Sequence, residues 1–240
     1  MQITSRARNR PRLTPLQLLV HIGAWIPLIV LLVDAQTNNL TVNPYQAAEQ
    51  RTGSIAIILL ILSLACTPLN TLFRIPALLK LRRPLGLYAY MYAAIHLFIF
   101  VGLDYGFSLE LILLDVADKL YIFVGLTAFL LLSLLAATSF DTWKKRLGKG
   151  WKRLHQVVYF INLLVVLHFA WASKGDFFRL QGEILRPLLA LLVILVLLVL
   201  RIPSIRRRVA GKLQLPRFVP RKKAFIEQPG STGSRSNPIE

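Results

Sequence analysis

The chain holds four histidines, His21, His96, His155 and His168, and all four stand in or at the edge of long apolar runs. An ionisable group inside a bilayer is costly to bury, which makes it a functional candidate. A single imidazole is explained by an interhelical hydrogen bond. Four of four, with no Asp or Glu inside the same runs, need a further reason. Structural zinc takes four close ligands, and proton relays usually carry carboxylates. Haem needs only one or two imidazoles presented from facing helices, and its apolar ring suits the core of a helix bundle. Cys66 is the one cysteine and lies in an apolar run, so neither a disulfide nor a thiolate cluster can form within the chain. It reads as buried packing.

The elements that must carry these rings are membrane helices. About 20 apolar residues cross a bilayer, and six runs qualify, at 13–33, 54–73, 85–103, 120–138, 154–172 and 184–200. The expected fold is an all-α polytopic membrane helix bundle with six transmembrane helices. At about 1.5 Å per residue, His96 lies ~16 Å above the inner end of span three and His168 ~21 Å above that of span five. These depths agree within ~5 Å, so the two can share one iron in the outer half of the bilayer. His155 lies 13 residues before His168, ~20 Å lower, at an inner level. Thirteen residues rotate ~220°, so the two rings share a face only if the helix bends or bulges. His21, at intermediate depth, reads as helix packing. No internal repeat is legible.

Composition agrees with this architecture. The chain is 55% hydrophobic with mean hydropathy +0.56, yet its net charge is +18. The apolar runs leave no soluble basic face for nucleic acid. Of 29 Lys and Arg, 24 fall in alternate loops on one side and 5 on the other. The positive-inside rule puts the first side, and both termini, in the cytoplasm. Eight of 11 acids fall outside, which gives +21 inside and −3 outside. The expected divisions are a basic cytoplasmic N-terminus at 1–12, a transmembrane domain at 13–203 and a basic, partly disordered cytoplasmic tail at 204–240. The basic part of that tail is expected to lie on anionic membrane lipid.

Two inner loops carry a pattern beyond charge. Arg82-Arg83-Pro84-Leu85-Gly86-Leu87 leads into span three, and Lys145-Arg146-Leu147-Gly148-Lys149-Gly150-Trp151-Lys152-Arg153-Leu154-His155 leads into span five. Basic anchoring with an interfacial Trp accounts for them. A glycine-containing basic cradle for haem propionates, a flavin phosphate or an anionic partner is the functional alternative.

With Ala93 and His96, Thr138-Ser139, the run 145–159, and His168-Phe169-Ala170-Trp171 with Lys174, these motifs stand in an order that resembles the MsrQ family, formerly YedZ. Asn43-Pro44, Thr52-Gly53 and Thr67-Pro68-Leu69 extend the match, which covers roughly 13–205. The family consists of haem-binding membrane subunits of a bacterial protein-methionine-sulfoxide reductase system, within the ferric-reductase-like transmembrane group. The resemblance implies a multi-pass protein of the inner membrane with haem b and FMN. It implies haem ligation by His96, His155 and His168, the same residues that depth selects. It implies electron transfer from the cytoplasm to a periplasmic molybdopterin reductase, MsrP, which repairs oxidised methionines. The chain would then be an electron-transfer subunit with no sulfoxide site of its own.

One departure stands out. Many ferric-reductase-type proteins place two histidine pairs on these helices, but Arg82 and Arg83 occupy the positions where the inner partner of His155 would stand. They suit propionates or a flavin phosphate better than iron. No G-x-G-x-x-G fingerprint is present, so a separate cytoplasmic flavin reductase or membrane quinol is the expected donor. A stand-alone ferric or metalloreductase cytochrome b is the alternative. A small transporter is disfavoured by the shortage of membrane carboxylates.

Overall fold

The computed structural model describes residues 14–173 and 184–212, and every regular element among them is helical. The basic N-terminus, the charged segment with Lys174, Asp176, Arg179 and Glu183, and the residues beyond 212 lie outside the described residues.

Helix α1 (Pro15–Gln36) starts at a capping box. The Thr14 side chain accepts from the Gln17 backbone while Gln17 reaches back to Thr14, and Pro15 takes the first helical position, where no N–H is needed. Helix α2 (Pro44–Phe73) starts the same way, with the Asn43 side chain accepting from Gln46 N at 3.1 Å. It ends on Arg74 in the left-handed region. A 3₁₀ turn (Pro76–Leu81) leads to α3 (Arg82–Phe98), which continues into a wide π turn (Ile99–Asp104). A short helix, α4 (Leu109–Asp118), precedes α5 (Leu120–Ala137). Two more follow α5 at its far end, α6 (Asp141–Leu147) and α7 (Lys149–Gln156), the latter running into α8 (Val158–Ala172). Helices α9 (Leu185–Val199) and α10 (Pro203–Lys212) complete the described chain.

Five of these stretches are long and apolar enough to cross a membrane: 15–36, 44–73, 76–104, 120–137 and 149–172. Helix α9 is apolar, but its 15 residues reach only ~22 Å. The chain is a multi-pass membrane protein. Its outer surface agrees, since α1 buries only Ala24 and Leu31 and leaves Leu18, Leu19, Ile22, Ile26, Ile29 and Leu32 exposed. In lipid those side chains need no protein partner.

The core forms where α2 pairs with α3 and α5 pairs with α8. Leu59, Leu60, Leu85, Ala89, Tyr92, Leu132, Leu135 and Ile161 meet between the two pairs. A second cluster, with Leu64, Val166, Ile194 and Leu197, seats α9 against α2 and α8. The fully buried Tyr92 donates its hydroxyl to Ala24 O at 2.6 Å and so ties α3 to α1.

A candidate haem site between two matching helix pairs

His96 comes from α3 and His168 from α8, and their ring centres stand 6.2 Å apart with planes crossed at 83°. Depth alone paired these two residues, and the fold brings them together. Two metal–imidazole bonds of about 2 Å, each extended to its ring centre, span about 6 Å. The separation therefore matches two axial ligands on one metal.

Each ring is held by its other nitrogen. His96 Nδ1 contacts Glu49 O on α2 at 2.9 Å, and His168 Nδ1 contacts Tyr121 O on α5 at 2.7 Å. A carbonyl only accepts, so Nδ1 carries the proton in both rings. Nε2 is left as a lone pair free for a metal. Both helices also make room. A methyl at Gly53 would stand 3.3 Å from His96 Nδ1, and one at Gly125 would stand 2.6 Å from His168 Nδ1 and Cε1. Neither glycine is needed for backbone freedom here. Each lets an imidazole lie against a helix.

These contacts reveal a repeat that the sequence does not advertise. Both carbonyl-to-histidine links span 47 residues. Gly53 precedes His96 by the same interval as Gly125 precedes His168. The pair α2–α3 and the pair α5–α8 are thus two copies of one device: a carbonyl, a glycine one turn later, and a histidine on the returning helix. The side chains around them differ, so composition and motif patterns hide the match.

His155 lies at the other end of α5, beside the Leu135 carbonyl. Its ring stacks on Trp151 at 4.0 Å between centres, and Nδ1 contacts Trp151 O at 3.2 Å. Trp151 Nε1 in turn donates to Thr138 O at 2.9 Å. His155 and His168 both lie against carbonyls of α5, and the helix that carries them is interrupted between them, where Val157 N bonds back to Leu154 O. His155 Nε2 is buried and has no partner among the described residues. No second histidine faces it. Arg83 occupies the matching place in the first helix pair, lying over the Phe140 ring and 3.9 Å from Asp141. Arg82 begins α3 with its side chain exposed and its carbonyl bonded by Ser63 Oγ at 2.9 Å. His21 stands apart from all of this, its Nδ1 2.8 Å from the Tyr88 hydroxyl. That is the packing role expected of it.

The donor set suits haem better than a small metal ion. No group of three His, Cys, Asp or Glu side chains is gathered to hold an ion among the described residues. Two imidazoles brought together between apolar helices, each with Nε2 left for a metal, have the donor chemistry that would hold a haem iron.

A bundle carrying facing imidazoles on paired helices defines the class. Residues 52–166 match the family described as "Ferric reductase like transmembrane component". Similarity to individual proteins is more specific. The chain is 34% identical over 187 residues to the "Protein-methionine-sulfoxide reductase heme-binding subunit MsrQ" of Bordetella pertussis, covering 78% of this chain and 86% of that one. The protein of the same name from Polaromonas naphthalenivorans is 40% identical over 158 residues, covering 65% and 72%. That of Xanthomonas campestris pv. campestris is 42% identical over 151 residues, covering 63% and 68%. The chain belongs to the MsrQ family.

Proposed function

We infer that this protein is the haem b membrane subunit of a methionine sulfoxide reductase system, with His96 and His168 as the axial ligands. The observation that carries this is the 6.2 Å separation of two imidazoles whose Nδ1 atoms are both engaged by carbonyls. Bound haem b supplies a one-electron carrier in the outer half of the bundle. The chain's own part is to present two Nε2 lone pairs, to fix both rings through Glu49 O and Tyr121 O, and to keep water away with apolar helices.

The full topology has six spans, α9 with its flanking residues being the sixth, and both termini in the cytoplasm of a cell whose inner membrane holds the protein. The uneven distribution of Lys and Arg supports this. Electrons enter on the inner side, where His155, Arg82, Arg83 and the basic α6–α7 segment lie. The donor is a cytoplasmic flavin reductase or a membrane quinol. Binding of FMN at this face is supported by the charge of the basic segment, which suits a flavin phosphate. Electrons leave on the outer side to a periplasmic MsrP-like molybdopterin reductase that restores oxidised methionine. Asp104, Glu110 and Asp118 give that face an acidic rim suited to a basic partner.

Reconstitution tests this reading. In vesicles, haem reduced from the inner face by a flavin reductase with NADH is re-oxidised by such a periplasmic reductase only when methionine sulfoxide is supplied. Re-oxidation by ferric citrate alone, with no response to the reductase, would favour a stand-alone metalloreductase, the reading to which the ferric-reductase-like match also points.

A further inference from the structure

Among the described residues, the inner end of the bundle gathers cations and unpartnered polar atoms, and the carboxylate there, Asp141, faces Arg83. Pro68 has no N–H, so the carbonyl of Leu64, four residues earlier, loses its helical donor. Arg201, just past α9, fills the gap, its Nη2 donating to Leu64 O at 2.7 Å. Its Nη1 donates to the Tyr159 hydroxyl, and the guanidinium lies over the Tyr159 ring at 4.8 Å. The remaining nitrogen, Nε, is buried without a partner among the described residues. On the next turn of α2, Thr67 Oγ1 is likewise buried without a described partner, and one turn before Tyr159, so is His155 Nε2. Arg82 opens α3 at this same level, bonded through its carbonyl to Ser63, the neighbour of Leu64.

Charge sharpens the picture. Arg82 is close enough to act electrostatically on both Arg201 and His155. Burial pushes the Arg201 guanidinium below its ordinary value, and Arg82 pushes the same way. Neither arginine has a carboxylate partner among the described residues, where Asp141 faces Arg83 instead. The internal repeat points the same way. At the outer level a histidine faces a histidine, while at the inner level the place opposite His155 belongs to Arg83. A guanidinium held among neutral partners is costly, and two within reach of each other repel. An anion accepting from both reverses that balance.

We propose that Arg201 and Arg82 form an anion site at the inner end of the bundle, between α2, α3, α8 and α9, which takes the carboxylate or phosphate group of an amphipathic ligand. Two sources share this chemistry, the propionates of a porphyrin and the headgroup of a phospholipid. The site lies at the level of His155, on the inner side where the proposed function has electrons enter, and does not depend on the outer haem.

The test uses the full chain in detergent, as wild type, Arg201→Gln, Arg201→Lys and Arg82→Gln. Three quantities are read: the low-spin signal of the outer haem, total haem per chain by pyridine haemochromogen, and phosphorus per chain after exhaustive detergent washing. Both glutamine variants are expected to keep the outer signal. Each is expected to lose at least threefold of either the haem in excess of one per chain or the retained phosphorus, and Arg201→Lys should recover part of the loss. Loss of excess haem assigns the propionates, and loss of phosphorus assigns the headgroup. If Arg201→Gln fails to fold because α9 comes loose, Arg82→Gln carries the test, since its side chain is exposed and α3 is held there through the backbone. A wild type with neither excess haem nor retained phosphorus overturns the proposal, as do glutamine variants that match wild type in both. A wild type with no haem at all defeats the proposed function, while the phosphorus measurement still decides this site.

Discussion

Two glycines determine where the imidazoles can stand. An added methyl at Gly125 meets His168 at 2.6 Å, while one at Gly53 meets His96 at 3.3 Å. Overpacking of this kind costs about 1–3 kcal/mol. Gly125→Ala should therefore lower the low-spin haem content several-fold, and Gly53→Ala should do so less, as read from the Soret band of purified protein. An equal and negligible effect of both would mean that the rings do not need the glycines. The crossed planes give a second expectation. Axial imidazoles at 83° should yield a strongly anisotropic low-spin ferric signal by electron paramagnetic resonance, whereas a rhombic signal of parallel rings would contradict the orientation. His96 and His168 were legible in the sequence because depth can be counted along an apolar run. Their partners were not. Glu49 O and Tyr121 O are backbone atoms of other helices, and nothing in the local spacing links position 49 to 96 or 121 to 168. Gly125, alone in a run of Leu, Phe and Ile, was the one visible sign. Arg201 was counted as a topology charge, because its contact with Leu64 depends on the proline at 68.

At the scale of elements, the apolar runs located the spans, and the departures occur where backbone geometry changes within a helix. A tightened turn at Val157 interrupts the helix between His155 and His168. The π turn at 99–104 begins three residues after His96, a wider turn of the kind often found beside functional residues. Neither has a composition signal. The stretches at 105–119 and 139–153 read as charged loops, yet they contain α4 and α6. Helix α4 buries none of its residues and is held by charge instead. Asp115 accepts from Lys119 and from the Tyr105 hydroxyl, and these bonds hold its carboxyl below the ordinary range. A depressed carboxyl stabilises above its unfolded value and loses that contribution as pH falls through its folded value. Amide exchange in α4, taken relative to the intrinsic rate at each pH, should therefore be unchanged from neutral pH down to the ordinary carboxylate range and quicken only in stronger acid. Asp115→Asn should quicken it already at neutral pH, and identical exchange in the two proteins would remove this account of the helix.

For the whole molecule, basicity and hydropathy describe one arrangement. The sequence made a helical membrane bundle legible, because long apolar runs have few other uses. It could not show the pairing of α2–α3 with α5–α8, since a repeat of contacts survives after a repeat of side chains has gone. The six-span topology predicts that a fluorescent protein fused after residue 240 folds in the cytoplasm and that alkaline phosphatase inserted at 105–108 is active outside. The opposite pattern would invert the proposed path. The central claim is a haem held between His96 and His168, and haem quantification with reduced-minus-oxidised spectra tests it most directly. Purified wild type should be red with a b-type pyridine haemochromogen spectrum, His96→Ala and His168→Ala should each lose the outer low-spin signal, and His155→Ala should keep it. A colourless wild type, or full low-spin haem in both His96→Ala and His168→Ala, would contradict the account.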